Sequence, residues 1–207
     1  VKFPGAAETP RAKRSASAIE RVRYRAQPGD SFIGLPGQTV DDYWAWAYGN
    51  LVGNMNRGIL AEYIVGAALG ALTPHREVWD AFDHQYREHG IEVKASAYLQ
   101  AWEQSKLSTI RFGIAPHWPD NTDKATANER VRHADCYVFC LLTTTDPDAV
   151  NPLDLSQWEF YVMPTGAVPE GGTIGLSGLK SITSPVSWGG LRAAVDCALE
   201  QFAEGAP

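Results

Sequence analysis

Residues 79–96, WDAFDHQYREHGIEVKAS, decide the reading of this chain. Asp83 closes one short apolar run, residues 84–90 form a reversing loop, and Ile91-Glu92-Val93-Lys94 opens a second run whose alternation suits a strand. The two runs read as a hairpin. Side chains two apart on a strand share a face, so Glu92 and Lys94 point one way while Ile91, Val93 and Ala95 point into the opposite layer. Asp83 then sits opposite Glu92 across the hairpin. Two carboxylates converging on one point make a hard-oxygen site of the kind Mg²⁺ prefers, with Mn²⁺ as a substitute. The ammonium beside them suits a phosphate or an attacking water. That is the chemistry of phosphodiester hydrolysis.

Upstream, residues 56–69, NRGILAEYIVGAAL, carry apolar side chains at helical spacing, with Asn54 or Asn56 as the N-cap. Glu62 is the only acid in that helix. Near a buried stripe an ionised carboxylate needs a cation or a strong hydrogen-bond partner, and Arg57 or another base would serve as well as a metal. Downstream, residues 96–105 carry Ser96, Gln100 and Gln104 in a loop, and 109–114, TIRFGI, return to a strand-like pattern.

With Asp83 followed by Glu92-x-Lys94, the chain resembles the PD-(D/E)XK nuclease superfamily, which contains type II restriction endonucleases and many repair nucleases. Asp83 matches the motif aspartate, Glu92 the acidic residue and Lys94 the lysine. Phe82 stands where the name-giving proline would be, a position that carries no chemistry. The resemblance covers roughly residues 57–142. It implies an α/β fold with a restriction-endonuclease-like αβββαβ core, a central mixed sheet flanked by helices. It also implies that Glu62 is the helix glutamate close to the metal, and that Ser96, Gln100 and Gln104 help to orient water or phosphate. On this reading Asp83, Glu92, the Val93 carbonyl and Glu62 hold Mg²⁺ or Mn²⁺. Lys94 and Gln104 join the acids in catalysis, and Arg57, Ser96, Gln100, Arg130 and Arg132 contact nucleic acid. A homodimer is a further arrangement the resemblance allows, since such enzymes often pair to cut both strands.

The 207 residues fit one domain with a sizeable core, and 44% apolar with 20% charged content is ordinary for a globular chain. Net charge is −6, yet seven of the eighteen bases lie in the first 25 residues against only Glu8 and Glu20. Residues 1–25 are therefore a basic arm or short helix ahead of a single domain at 26–207, able to neutralise phosphates. Cys136, Cys140 and Cys197 have no zinc spacing. The first two lie in an apolar run, which suits buried free thiols and a cytoplasmic setting. No apolar run is long enough to span a bilayer, so no membrane partner is expected. The opening Val1, in place of methionine, suggests that an upstream segment has been removed.

The remaining pattern is mixed. Thr39-x-x-Asp42 resembles a capping box opening a helix over 40–51. Residues 135–142 suit a central strand covered on both faces, 158–163 another strand ended by Pro164, and 187–202 a closing helix. There is no GxSxG, HExxH or Walker-type loop. The five histidines fall mostly in turns, where a solvated imidazole is the default, and His84 and His89 lack ligand spacing. The expected function is a metal-dependent nuclease, most simply a DNA endonuclease of restriction-like type. A catalytically silent nucleic-acid or protein binding module, or an accessory subunit of a defence or repair complex, shares the same features.

Overall fold

The computed structural model describes residues 24–76, 81–116 and 130–205. Of the expected basic arm only Tyr24 and Arg25 fall within them; the rest of the arm lies outside, as do Trp79, His117 and Trp118. The chain divides into two compact units, Val1–Ala45 and Trp46–Pro207, a later boundary than residue 25. In the first, a bridge joins Ser31 to Thr39. The backbone amide and hydroxyl of Thr39 both donate to Asp42 Oδ2, each at 2.8 Å. This capping box opens helix α1 (Val40–Tyr48), which stops short of the expected residue 51.

In the second unit, helix α2 (Asn54–Leu69) starts from Gly53 with no side-chain cap. Neither asparagine caps it: Asn54 Oδ1 accepts from Arg57 at 2.8 Å, and the Asn56 amide donates to the Ala47 and Asn50 carbonyls. The helix ends at Gly70, whose φ of 68° is the left-handed conformation a C-terminal cap requires. The hairpin follows as β1 (His84–Tyr86) and β2 (His89–Ala97). The reversing loop is thus shorter than expected. Tyr86 pairs with His89, leaving only Arg87 and Glu88 in the turn, with Arg87 at a φ of 54°.

Strand β3 (Arg111–Gly113) does not join this sheet. The far edge of β2 is taken by β4 (Cys136–Leu142), paired in parallel, and β4 pairs antiparallel with β5 (Trp158–Pro164). The main sheet therefore runs β1-β2-β4-β5. Strand β3 instead pairs with β6 (Thr173–Gly175) over one face of the sheet, where the Phe112 ring meets Phe139 edge-on at 5.3 Å. Helices α3 (Leu176–Ile182) and α4 (Trp188–Gly205) complete the chain.

Every residue of β4 is buried, as its uninterrupted apolar run predicts for a strand covered twice. Ile91, Val93, Cys136, Val138 and Cys140 face one cluster with α2 and α4; Tyr137, Phe139 and Leu141 face the other, beneath β3 and β6. Cys136 and Cys140 are buried free thiols, and burial pushes Cys136 up to about 12. The architecture is α/β with a mixed sheet flanked by helices. Among the described residues no helix is long and apolar enough to cross a membrane.

Helix α4 ties the pieces together. The Trp188 indole donates to the Ile64 carbonyl of α2 at 3.1 Å, and Arg192 donates to Ala68 at 2.9 Å. On the hairpin side, Asp196 accepts from the Tyr86 hydroxyl at 3.0 Å and pairs with Arg87 at 3.2 Å.

Gly90 is the tightest point of the hairpin. A Cβ there would come within 2.5–2.9 Å of the Phe82 ring, which lies directly before Asp83. Gly90→Ala is expected to destabilise the fold by about 1–3 kcal/mol in urea denaturation, as overpacking does. Wild-type stability in that variant would show that Phe82 yields without strain.

Candidate active site

The hairpin register carries Asp83 to the position facing Glu92. His84 pairs with Ile91, and the Asp83 amide donates to the Ile91 carbonyl at 3.0 Å. The next donor, the Val93 amide, is taken by the Asp83 carboxylate, with Oδ2 at 2.7 Å. In an extended strand the N–H and C=O of one residue point to the same side, so the Val93 carbonyl also faces this edge, past the end of β1. Glu92 and Lys94 share the other face of β2 and form an ion pair, their side chains 13% and 26% exposed.

Glu62 approaches from α2. Its carboxylate is held by two Arg76 nitrogens, Nη2 at 2.8 Å and Nε in a second contact. The partner left open by sequence, a metal or a base, is therefore a base in this structure, and it is Arg76, not Arg57. The approach of helix to hairpin depends on Gly66: a Cβ there would stand 2.7 Å from the His84 ring. His84 Nε2 lies 2.7 Å from the Glu62 carbonyl oxygen. His84 thus opens β1 and packs its ring against α2, in contrast to the solvated turn residue expected. Glu62, Tyr63, Arg76, Phe82, Asp83 and His84 help line a cleft of about 450 Å³.

The charges converge on Asp83. Burial, then the negative charges of Glu92 and Glu62, push its carboxyl up to about 7 against the opposing pull of the Val93 amide and Lys94. Sequence reasoning missed Tyr137, which β4 sets beside Glu92; burial and the Glu92 charge raise its hydroxyl to about 12. Only the strand pairing could have found it.

Other expected site residues lie in different settings. Ser96 continues the Glu92–Lys94 face of β2 and is buried. Gln104 and Gln100 brace the loop after β2: Gln104 accepts from the Gln100 amide at 2.6 Å, and both side chains donate to Ser108. Arg57 is 1% exposed and donates to Val52, Asn54 and Gln100, all neutral acceptors. Burial lowers its pKa. Arg57 therefore clamps the start of α2 to the loop after β2, a correction to its expected place on nucleic acid. Arg132 is half-buried and spends its donors on the Ile114, Val168 and Pro169 carbonyls. Arg130 is exposed.

Among the described residues no three His, Cys, Asp or Glu side chains converge into one metal-binding group. Two carboxylates with a strand carbonyl remain, and they suit a hard divalent cation. Asp83 Oδ1 takes no hydrogen bond among the described residues, and the mutual repulsion of Asp83, Glu92 and Glu62 would be relieved by such an ion. No protein-family model, curated protein or solved structure matches this chain.

A carboxyl raised from 3.8 to about 7 binds a proton in the folded state that the unfolded chain releases. Metal-free protein is therefore expected to lose stability as pH rises from about 4 to about 7, and to level off above. Urea denaturation in EDTA across that window checks this. Asp83→Asn should flatten the slope, and an unchanged slope would assign the titration to another group.

Proposed function

We propose that this chain is a divalent-cation-dependent phosphodiesterase acting on nucleic acid, most simply a DNA endonuclease built on the PD-(D/E)XK core. The observation that carries the proposal is that the charges of Glu92, Glu62 and Lys94 all act on Asp83 at the open end of one hairpin, from α2, β2 and the residue just before β1. The order of helix, antiparallel hairpin and parallel β4 supports the core, although β3 lies over the sheet.

Asp83 and Glu92 would hold Mg²⁺ or Mn²⁺, with the Val93 carbonyl as third ligand and Glu62 alongside. When bound, the cation supplies Lewis-acid polarisation of a phosphoryl oxygen. Lys94, kept beside Glu92, orients the attacking water and stabilises charge growing on the non-bridging oxygens as the new P–O bond forms and the leaving P–O bond breaks, the water's proton passing to solvent and the leaving oxygen taking one from solvent. The strand fixes both side chains, so little motion is needed to reach the reacting geometry.

A silent binding module is the second reading, favoured by one feature: Glu62 and Glu92 already have basic partners. Metal separates the two. A working site is expected to raise the thermal midpoint in Mn²⁺ relative to EDTA, and Asp83→Asn should abolish that shift; a module without a metal site gives no shift.

Lys94→Ala is expected to abolish cleavage of supercoiled plasmid, single-stranded DNA and RNA in Mg²⁺ while the fold and oligonucleotide binding persist. Cleavage that survives in this variant rules out the assigned role of Lys94.

A further inference from the structure

We infer that Arg76 is the resident counter-ion of the metal-free site and becomes a phosphate-binding group when a divalent cation takes Glu62. The inference rests on the nuclease reading and adds a residue to it that the PD-(D/E)XK motif does not contain.

The two ion pairs at the site are not equivalent. Glu92 and Lys94 are two residues apart on one strand, so they remain neighbours whatever binds. Arg76 instead stands on the segment after the α2 cap, 14 residues from Glu62, and belongs to no helix or strand. Its side chain is 42% exposed, whereas Glu62 is 15% exposed and fixed on α2. When the pair opens, Arg76 is therefore the partner that moves, because its side chain is the more exposed and is not held in a helix or strand.

Both Glu62 oxygens are engaged by the guanidinium. A cation that takes Glu62 competes with it for the charge and lone pairs of the carboxylate. Arg76 also feels Asp83, and both line the same cleft, so the released guanidinium stays beside the carboxylates. Its planar fork fits a phosphate as well as a carboxylate, a match that an ammonium lacks. Metal and phosphate thus support one another: the ion frees Arg76, and a phosphate on Arg76 keeps Glu62 open.

The test is calorimetric titration of the full chain with Mn²⁺ alone, at fixed pH and ionic strength, for wild type, Arg76→Gln, Glu62→Gln and the double variant. Arg76→Gln is expected to tighten Mn²⁺ binding about threefold or more, the scale of a partly exposed ion pair, and the gain should vanish in the Glu62→Gln background. Arg76→Lys, which keeps the charge and tests against a folding artefact, should fall between. In Ca²⁺, Arg76→Gln should weaken oligonucleotide binding and lower its salt slope by about one. Equal Mn²⁺ affinity in wild type and Arg76→Gln, or a gain that persists without Glu62, overturns the counter-ion role and leaves the nuclease reading standing. Unchanged oligonucleotide binding overturns the phosphate role. Mn²⁺ binding in none of the four proteins overturns both readings.

Discussion

The bond from the Val93 amide to the Asp83 carboxylate is the constraint on which the site depends. The β1–β2 ladder ends with His84 opposite Ile91, and a side chain then continues what the backbone no longer can. Asp83 is held in line with the sheet as if it were one more strand residue. Among the described residues only Oδ2 is hydrogen-bonded, so the carboxylate is both anchored and able to accept a further partner. Its burial makes that second capacity matter, because a half-satisfied acid among other acids holds a proton well above the usual carboxylate range.

Around this bond the molecule brings helix and hairpin closer than side chains ordinarily permit. Gly66 gives His84 room against α2, and Gly90 gives Phe82 room against β2. Two missing Cβ atoms thus set the spacing between Glu62 and Asp83. The parallel strand β4 fixes β2 from behind and adds Tyr137 to the polar face. Glu62 and Glu92 each have a base within reach, Arg76 and Lys94, at the cost of holding those bases in place.

Local features of this architecture were legible in the sequence. Alternation over Ile91–Lys94 placed Val93 in the core and Glu92 opposite it, and the run read at 135–142 marked a doubly covered strand, observed as Cys136–Leu142. The turn was misjudged because His84-Gln85-Tyr86 has polar residues on a short edge strand, where one face is open to solvent. The place of β3 was not readable either, since a three-residue strand pairs wherever an edge is free, and β4 had already taken that of β2. Site residues within the hairpin followed from period two. Arg76 and Tyr137 did not, because their positions come from chain reversals and a parallel register that no local pattern encodes. Arg57 was misplaced for a related reason: a charged residue on a helix gives no sign that neutral carbonyls will enclose it.

Helix α4 gives the assembly a direction in time. The acidic residues lie between positions 62 and 92, yet the hairpin tip is held by Asp196 and α2 by Trp188 and Arg192. A ribosome making this protein releases every member of the site long before it releases the helix that secures them. Such long-range closure is slow, and the half-made chain presents the open edge of β2 and an apolar helix face meanwhile. The contacts that join α2 and the hairpin tip to α4 thus form only after both partners have been made.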